Sequence, residues 1–509
     1  MIVENIYDNS IDYIKDIEKT KRKHIGQFFT PAPVAKYMAS LSDTSDSSVR
    51  ILDAGAGSGI LTAALCEHIV TNSRIKNIDI DLYENNEDVL PLLISNVKYI
   101  KDFLELNNKK VNTKIIPKNF ILSNSEIWTG KKKIKNDQLY NIIISNPPYK
   151  KIRKSSKESQ AMLSIVYGQP NIYFLFMAMS AKLLKEDGEM IYITPRSFTS
   201  GAYFKEFRKW FFNNMNITNL NIFVSRSDVF NFDEILQEII ITKAIKTNDI
   251  SDDIIITEIQ DLSFDKDLIK HTVPNSILID RSNDNYFMKI PTNEEDIKLL
   301  EFINQWESNL ISLGFRLKTG PVVSFRSTEF LKENETADTV PLFWANNFDN
   351  NKLNHPIDNN KKPQYIMNNN ESSKLLVKNH DYILLKRFTS KEEKRRIQPV
   401  LYFSHDFNYN NIGLENHLNY IVNENGKMTK IDLYGIYTIL NSTYIDKYYR
   451  ILNGNTQVNA NEVNSMPFPC RSKLTKIGEL ALQKNKLDVL TCDGIISDVF
   501  DSKNIRHAI

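Results

Sequence analysis

Leu139-Tyr-Asn-Ile-Ile-Ile-Ser145 runs directly into Asn146-Pro147-Pro148-Tyr149. A short run apolar on both faces, β-branched at its centre and closed by two prolines, reads as a strand buried on both sides. Such strands belong to parallel sheets covered by helices. In those sheets ligands bind just beyond the C-terminal strand ends. The loop standing there offers one amide, two prolines that fix the backbone and one aromatic ring. Asn146, Pro147, Pro148 and Tyr149 are therefore the candidate catalytic residues, shaped to hold a planar base bearing an exocyclic amine.

Upstream, Val49-Arg-Ile-Leu-Asp53 reads as a second strand, followed by a glycine-rich turn containing Gly55 and Gly57, then a helix from about 60 to 69. The glycines permit a tight strand-to-helix turn and close approach of a ligand. A nucleotide-phosphate loop is the rival for such a turn. Asp53 at the strand end would repel a phosphate, and the Gly-Lys-Ser/Thr ending of a phosphate loop is missing. The turn suits a cationic or amine-bearing ligand. Glu84 closes the next strand, 77 to 83, and is placed to accept hydrogen bonds from ribose hydroxyls. Downstream, a helix from about 173 to 185 stops at Gly188. Strands follow at 189–194, near 220–224 and at 239–245. Strands alternating with helices in this way predict a doubly wound, Rossmann-like α/β domain over 26–245. A charged helical lead-in precedes it (1–25). A mixed α+β domain, 246–509, follows, dense in Asn, Asp and turn formers. Lys150 to Ser159 reads as a polar, mobile, basic segment.

Composition bounds the chemistry. With 41% apolar and 25% charged residues, the chain matches an ordinary soluble globular protein. It shows neither an apolar run of about 18 residues nor a signal segment, which predicts a cytoplasmic protein with no membrane span. Cys66, Cys470 and Cys492 lie far apart and give no metal-ligand spacing, so no metal is expected. The net charge of +2 does not announce a polyanion partner, but between Lys374 and Val400 eight Lys and Arg face three acids. A charge run is usually a solvated face. It gains meaning only if the other half of the chain acts on nucleic acid.

Taken together, the glycine turn, the acid ending the second strand and Asn146-Pro147-Pro148-Tyr149 resemble the S-adenosylmethionine-dependent methyltransferases. More narrowly, they resemble the gamma group of adenine-N6 DNA methyltransferases. The resemblance spans about 26 to 245. It implies that Gly26 to Pro31, with Phe28 and Thr30, closes over the methionine end of the cofactor. It implies that Asn119 and Phe120 hold the cofactor adenine, although many relatives have Asp where Asn119 stands. Asn146 and Pro147 would accept the hydrogens of the target amine, and Asn146 also borders the cofactor. Tyr149 would stack on a flipped-out base, with Phe230 as a second stacking face. Lys386 to Arg396 and Asn453 to Asn459 are similar to the target-recognition domain of type II restriction–modification methyltransferases of the PstI/BsuBI type. The implied partner is double-stranded DNA, held by Lys150, Lys151 and Arg153 beside the catalytic loop and by Lys386, Arg387, Lys394, Arg395 and Arg396. A cognate restriction endonuclease is expected as a separate protein. RNA or protein amides on the same fold are the alternative substrates. Nothing in the sequence around Arg326 singles it out.

Overall fold

The computed structural model describes residues 2–15, 29–43, 46–71, 74–223, 239–247, 252–262, 264, 268–281, 284–349, 352–357, 361–390, 392–454 and 456–501. The first half is organised around β1 (Ser48–Ala54), β2 (Asn77–Tyr83), β3 (Lys110–Ile116), β4 (Tyr140–Ser145) and β5 (Leu184–Pro195). These are followed by β6 (Asn216–Phe223), β7 (Ile239–Ile245), β8 (Asp253–Ile259) and β9 (Ile269–Pro274). All nine join one sheet in the order 3-2-1-4-5-7-6-8-9. β1 pairs in parallel with both β2 and β4, and β7 runs antiparallel to β5 and β6.

Every residue of β4 is buried, as its two-sided apolar pattern requires. Ile142 and Ile144 enter a core shared with Ile51, Ile191 and the helix Ile60–Val70. On the other face, the Tyr192 hydroxyl meets Ser180 at 2.6 Å on the helix Ile172–Leu183. That helix is apolar on nearly all sides and correspondingly buried. Burying each Ile of β4 stabilises by about 1.5–3 kcal/mol. From β1 the chain goes to β2 and β3 on one side and returns to β4 on the other, so strand order reverses between β1 and β4. The loops after these two strands therefore flank the crevice where ligands bind in such sheets.

Two sequence boundaries are corrected. The expected lead-in contains the helix Ile2–Lys15, whose Val3 and Ile6 are fully buried in the same core as β1 and β4. The domain expected to end at 245 continues through β8 and β9, and the chain divides between Thr292 and Asn293. The turn-rich composition after 245 masked two more strands of the same sheet.

The second unit, Asn293–Ile509, is mixed α+β. Phe315–Thr319, Leu418–Asn423, Tyr382–Lys386 and Pro399–Tyr402 form an antiparallel sheet in that order. A second sheet carries Thr339–Phe343 and Asn411–Leu414, and Phe343, Leu384, Tyr402 and Leu414 are buried in one apolar cluster. Helices Lys430–Leu440, Thr443–Leu452 and Arg471–Leu482 complete the unit. Among the described residues no helix is long and apolar enough to cross a membrane, and no cluster of His, Cys, Asp and Glu could hold a metal ion.

Candidate active site at the head of the sheet

The glycine turn after β1 is built on left-handed backbone. Gly55 and Gly57 have φ of +85° and +56°, conformations that side chains rarely adopt. Close approach adds a second constraint. A Cβ on Gly57 would stand 3.2 Å from the Phe29 ring, and one on Gly55 would touch Phe176 and Pro148. Phe29, the neighbour of the expected Phe28, thus lies against the turn, with Tyr13 edge-on to it. Phe28 itself falls outside the described residues.

Asp53 is buried at the end of β1. One carboxylate oxygen accepts from the Thr62 hydroxyl at 2.7 Å, and Oδ1 has no hydrogen-bond partner among the described residues. Burial, reinforced by nearby Glu84, pushes its pKa up to about 7. Glu84 is also buried. Its two oxygens accept from the backbone N–H groups of Gly57 (3.0 Å) and Asn86 (2.8 Å). Burial raises its pKa, and those N–H groups oppose the rise. Each Glu84 oxygen keeps a second lone pair for a ligand hydroxyl.

Asn119 does local work that the sequence did not announce. Its Oδ1 accepts from Leu122 N at 3.0 Å and caps the short helix Phe120–Ser123, while its Nδ2 donates to Glu158. Phe120 is buried between Tyr83 and Phe176.

The catalytic candidates close the crevice. The Ser145 hydroxyl donates to Ala54 O at 2.5 Å and ties the end of β4 to the end of β1. The Asn146 Nδ2 donates to Thr30 Oγ1 at 3.2 Å, and Thr30 is buried. The Tyr149 hydroxyl donates to Asn146 Oδ1 at 2.7 Å and lies 3.1 Å from Ile193 O. Burial pushes the Tyr149 hydroxyl well above the ordinary tyrosine range, so it stays a donor. Its ring meets Tyr173 edge-on. Of the residues found here and not from sequence, Thr62 and Phe176 carry no local signal, because each is brought in by packing. Phe230 lies outside the described residues.

The basic candidates fall into two groups. Lys150, Lys151 and Arg153 are exposed. Their segment is not loose: Lys150 O accepts from Ile172 N, and Ile152 N donates to Pro170 O. That corrects the expectation of a mobile loop. In the second unit Lys394 is exposed, and Lys386 and Arg387 are half-buried. Arg395 donates to the carbonyls of Leu440 and Ser442. Arg396 is fully buried, donates to Thr389 Oγ1 and lies over the Tyr449 ring. A side chain so enclosed cannot reach a phosphate, and Arg396 is withdrawn from the DNA-backbone set.

A family model described as Eco57I restriction-modification methylase matches residues 11–230. The chain is 35% identical over 464 residues to the type II methyltransferase M.BsuBI of Bacillus subtilis, covering 91% of each chain. It belongs to the type II restriction–modification methyltransferases. A second such methyltransferase, M.PstI of Providencia stuartii, is 33% identical over 91% of this chain and 90% of its own. Among solved structures, the type IIL restriction-modification enzyme MmeI in complex with DNA matches with a TM-score of 0.52 at 12% identity, over 100% of this chain and 73% of that one, a likeness of fold.

Proposed function

We propose that this methyltransferase transfers a methyl group from S-adenosylmethionine to the N6 amine of adenine in duplex DNA. The observation that carries the proposal is Asn146 at the head of β4, an amide oriented by Thr30 at its Nδ2 and by the Tyr149 hydroxyl at its Oδ1, so that Oδ1 points its acceptor lone pairs in a fixed direction, one of them taken by Tyr149. The residues present fit the cofactor: the buried, unpartnered Asp53 Oδ1 is an acceptor waiting for an amine-bearing ligand. Asp53, Gly55, Gly57 and Glu84 would hold it, with Phe28, Thr30, Asn119, Phe120 and the border of Asn146 completing its surroundings. When bound, S-adenosylmethionine supplies a methyl group activated by a sulfonium sulfur.

The chain's own residues then prepare the acceptor. The adenine amine is a poor nucleophile because its lone pair is delocalised into the ring. Asn146 Oδ1 and the Pro147 carbonyl each accept one N–H, drawing the nitrogen toward tetrahedral geometry and localising that lone pair, while Pro148 keeps the loop rigid. Asn146 is neutral, so positioning and electrostatics carry the rate in place of a strong base. The base has to leave the duplex, at a cost of a few kcal/mol. Stacking on Tyr149, worth about 1–3 kcal/mol, offsets much of it, with Phe230 as a second face. Lys150, Lys151, Arg153, Lys386, Arg387, Lys394 and Arg395 are proposed to meet the backbone, which positions the duplex without reading it. We assign the cognate endonuclease to a separate polypeptide, in keeping with relatives named methyltransferases that align along 91% and 90% of their length.

Transfer of labelled methyl from S-adenosylmethionine to DNA, followed by nucleoside analysis, tests the proposal. N6-methyladenine is the expected product. Methylcytosine would overturn the choice of base, and label in RNA or protein amides with none in DNA would overturn the substrate.

A further inference from the structure

The second unit presents a rim where four segments of chain are pinned together. Val322 bridges Glu415 in parallel, and Asn416 N donates to Val322 O at 2.9 Å. Arg387 N donates to His417 O at 2.9 Å, and Phe388 bridges Gln457. The first contact is very close: a Cβ on Gly320 would fall 2.4 Å from Glu415 O, so only glycine lets these backbones meet.

Two phenylalanines stand in solvent on this rim. Phe325 is 72% exposed and Phe388 is 44% exposed, the only phenylalanines among the described residues in that state. Single exposed apolar side chains are ordinary. Here each ring has a guanidinium over it, Arg326 at 5.2 Å from Phe325 and Arg387 at 5.4 Å from Phe388. The His417 ring lies 5.1 Å from Phe388. His417 is half exposed, and its Nδ1 sits 2.7 Å from the carboxylate of Glu415, which is completely buried. Burying a carboxylate is unfavourable unless it is paired. Glu415 directs its oxygens at the Nδ1 and backbone N–H of His417. The pair fixes the ring orientation and leaves Nε2 as the hydrogen-bonding atom available to a ligand.

Exposed flat rings, paired guanidinium groups and a held imidazole edge suit one occupant, the duplex DNA whose target base is methylated. Rings pack on bases, Arg bonds phosphates or guanine edges, and imidazole bonds a base edge. The charge is complementary, because the Glu415 carboxylate is buried while the guanidinium groups of Arg326, which is exposed, and of Arg387, bonded to Asn416 O, remain positive. We propose that this rim is the sequence-reading element, with His417 contacting a base edge, Phe388 packed against the same base step, and Glu415 acting as a positioning residue for His417. This rests on the assignment of the chain as a DNA methyltransferase.

The test uses the full-length enzyme, S-adenosylmethionine and duplex oligonucleotides carrying the site found by sequencing methylated DNA, together with every single-base-pair variant of that site. His417→Ala and Phe388→Ala are expected to lower kcat/KM on the cognate duplex about 10-fold, through KM for DNA. They should flatten discrimination at one or two adjacent positions while leaving cofactor affinity at the wild-type value; Phe388→Ala should also keep wild-type thermal stability, whereas His417→Ala strands the buried Glu415 carboxylate and should lower it. Glu415→Gln keeps the shape and a hydrogen-bond acceptor, and should relax discrimination at the same positions to a smaller degree. If both alanine variants discriminate at every position as the wild type does, the rim assignment is overturned and the enzyme assignment stands. If the wild type places no methyl group on DNA at all, both are overturned.

Discussion

Asp53 offers the sharpest test of the site's electrostatics. Its pKa rises from 3.8 to about 7 because burial disfavours the charged form and Glu84 adds negative potential. At about 1.4 kcal/mol for each tenfold change, a charged Asp53 costs the ligand-free protein up to roughly 4 kcal/mol. The carboxyl holds its proton more tightly folded than unfolded. From about pH 4 to about pH 7 the folded protein keeps a proton that the unfolded chain has released, so this group makes stability fall as pH rises through that window. Above pH 7 the whole penalty is present. Asp53→Asn removes the titration and keeps an oxygen for the Thr62 hydroxyl. Denaturant unfolding of the ligand-free wild type and variant, compared at each pH from 4 to 8, isolates the group from every other titration. The variant should match the wild type near pH 4 and exceed it increasingly toward pH 8, by up to roughly 4 kcal/mol in the first unit's transition. A difference that stays constant across this range would refute a buried carboxyl that titrates near neutrality. In the same variant, the affinity for S-adenosylmethionine is expected to fall above pH 7, where the wild type presents a full negative charge.

Asn146→Ala should leave cofactor affinity near wild type and abolish methyl transfer; substantial residual turnover would sink its assigned role. Thr30→Val removes the acceptor for Asn146 Nδ2 and loosens the amide, which Tyr149 still holds at Oδ1, so kcat should drop about fivefold for the loss of roughly 1 kcal/mol, with Thr30→Ser restoring it. Tyr149→Phe keeps the ring and loses the hydroxyl held by Asn146 Oδ1, and single-turnover rates should stay within a few-fold of wild type, whereas Tyr149→Ala should lose 10-fold or more. Lys394→Ala should lower the slope of log affinity for DNA against log salt by roughly one without altering unfolding. Arg396→Ala should do the reverse, costing about 3 kcal/mol of stability with an unchanged salt slope; a lowered slope would return Arg396 to the DNA path.

The comparison of sequence with structure separates along one physical line. Patterns that depend on neighbours along the chain were legible. The two-sided burial of β4, the turn at Gly55 and Gly57 and the acid ending β2 all follow from residue type at short spacing, and the helices expected at 60–69 and 173–185 fall within a few residues of Ile60–Val70 and Ile172–Leu183. Patterns that depend on what lies opposite were not. Asn119 offers the same amide whether it meets a ligand or caps a helix, and only the backbone path after β3 puts Leu122 N against it. The run Lys394-Arg395-Arg396 reads as one charge cluster, yet its members are exposed, tied to helix-end carbonyls and buried under Tyr449 in turn.

By itself, then, the sequence determined the class of the sheet, the loop that follows β4 and the acids beside the glycine turn, because strand periodicity and turn chemistry are local. Only the tertiary structure decided that Thr30 grips Asn146 across 116 positions of chain, that the domain runs on to β9, and that Glu415 is buried under His417 while Arg396 is taken out of solvent. Those outcomes depend on which distant surfaces exclude water together, and burial is a property of the folded whole that no single stretch of residues carries.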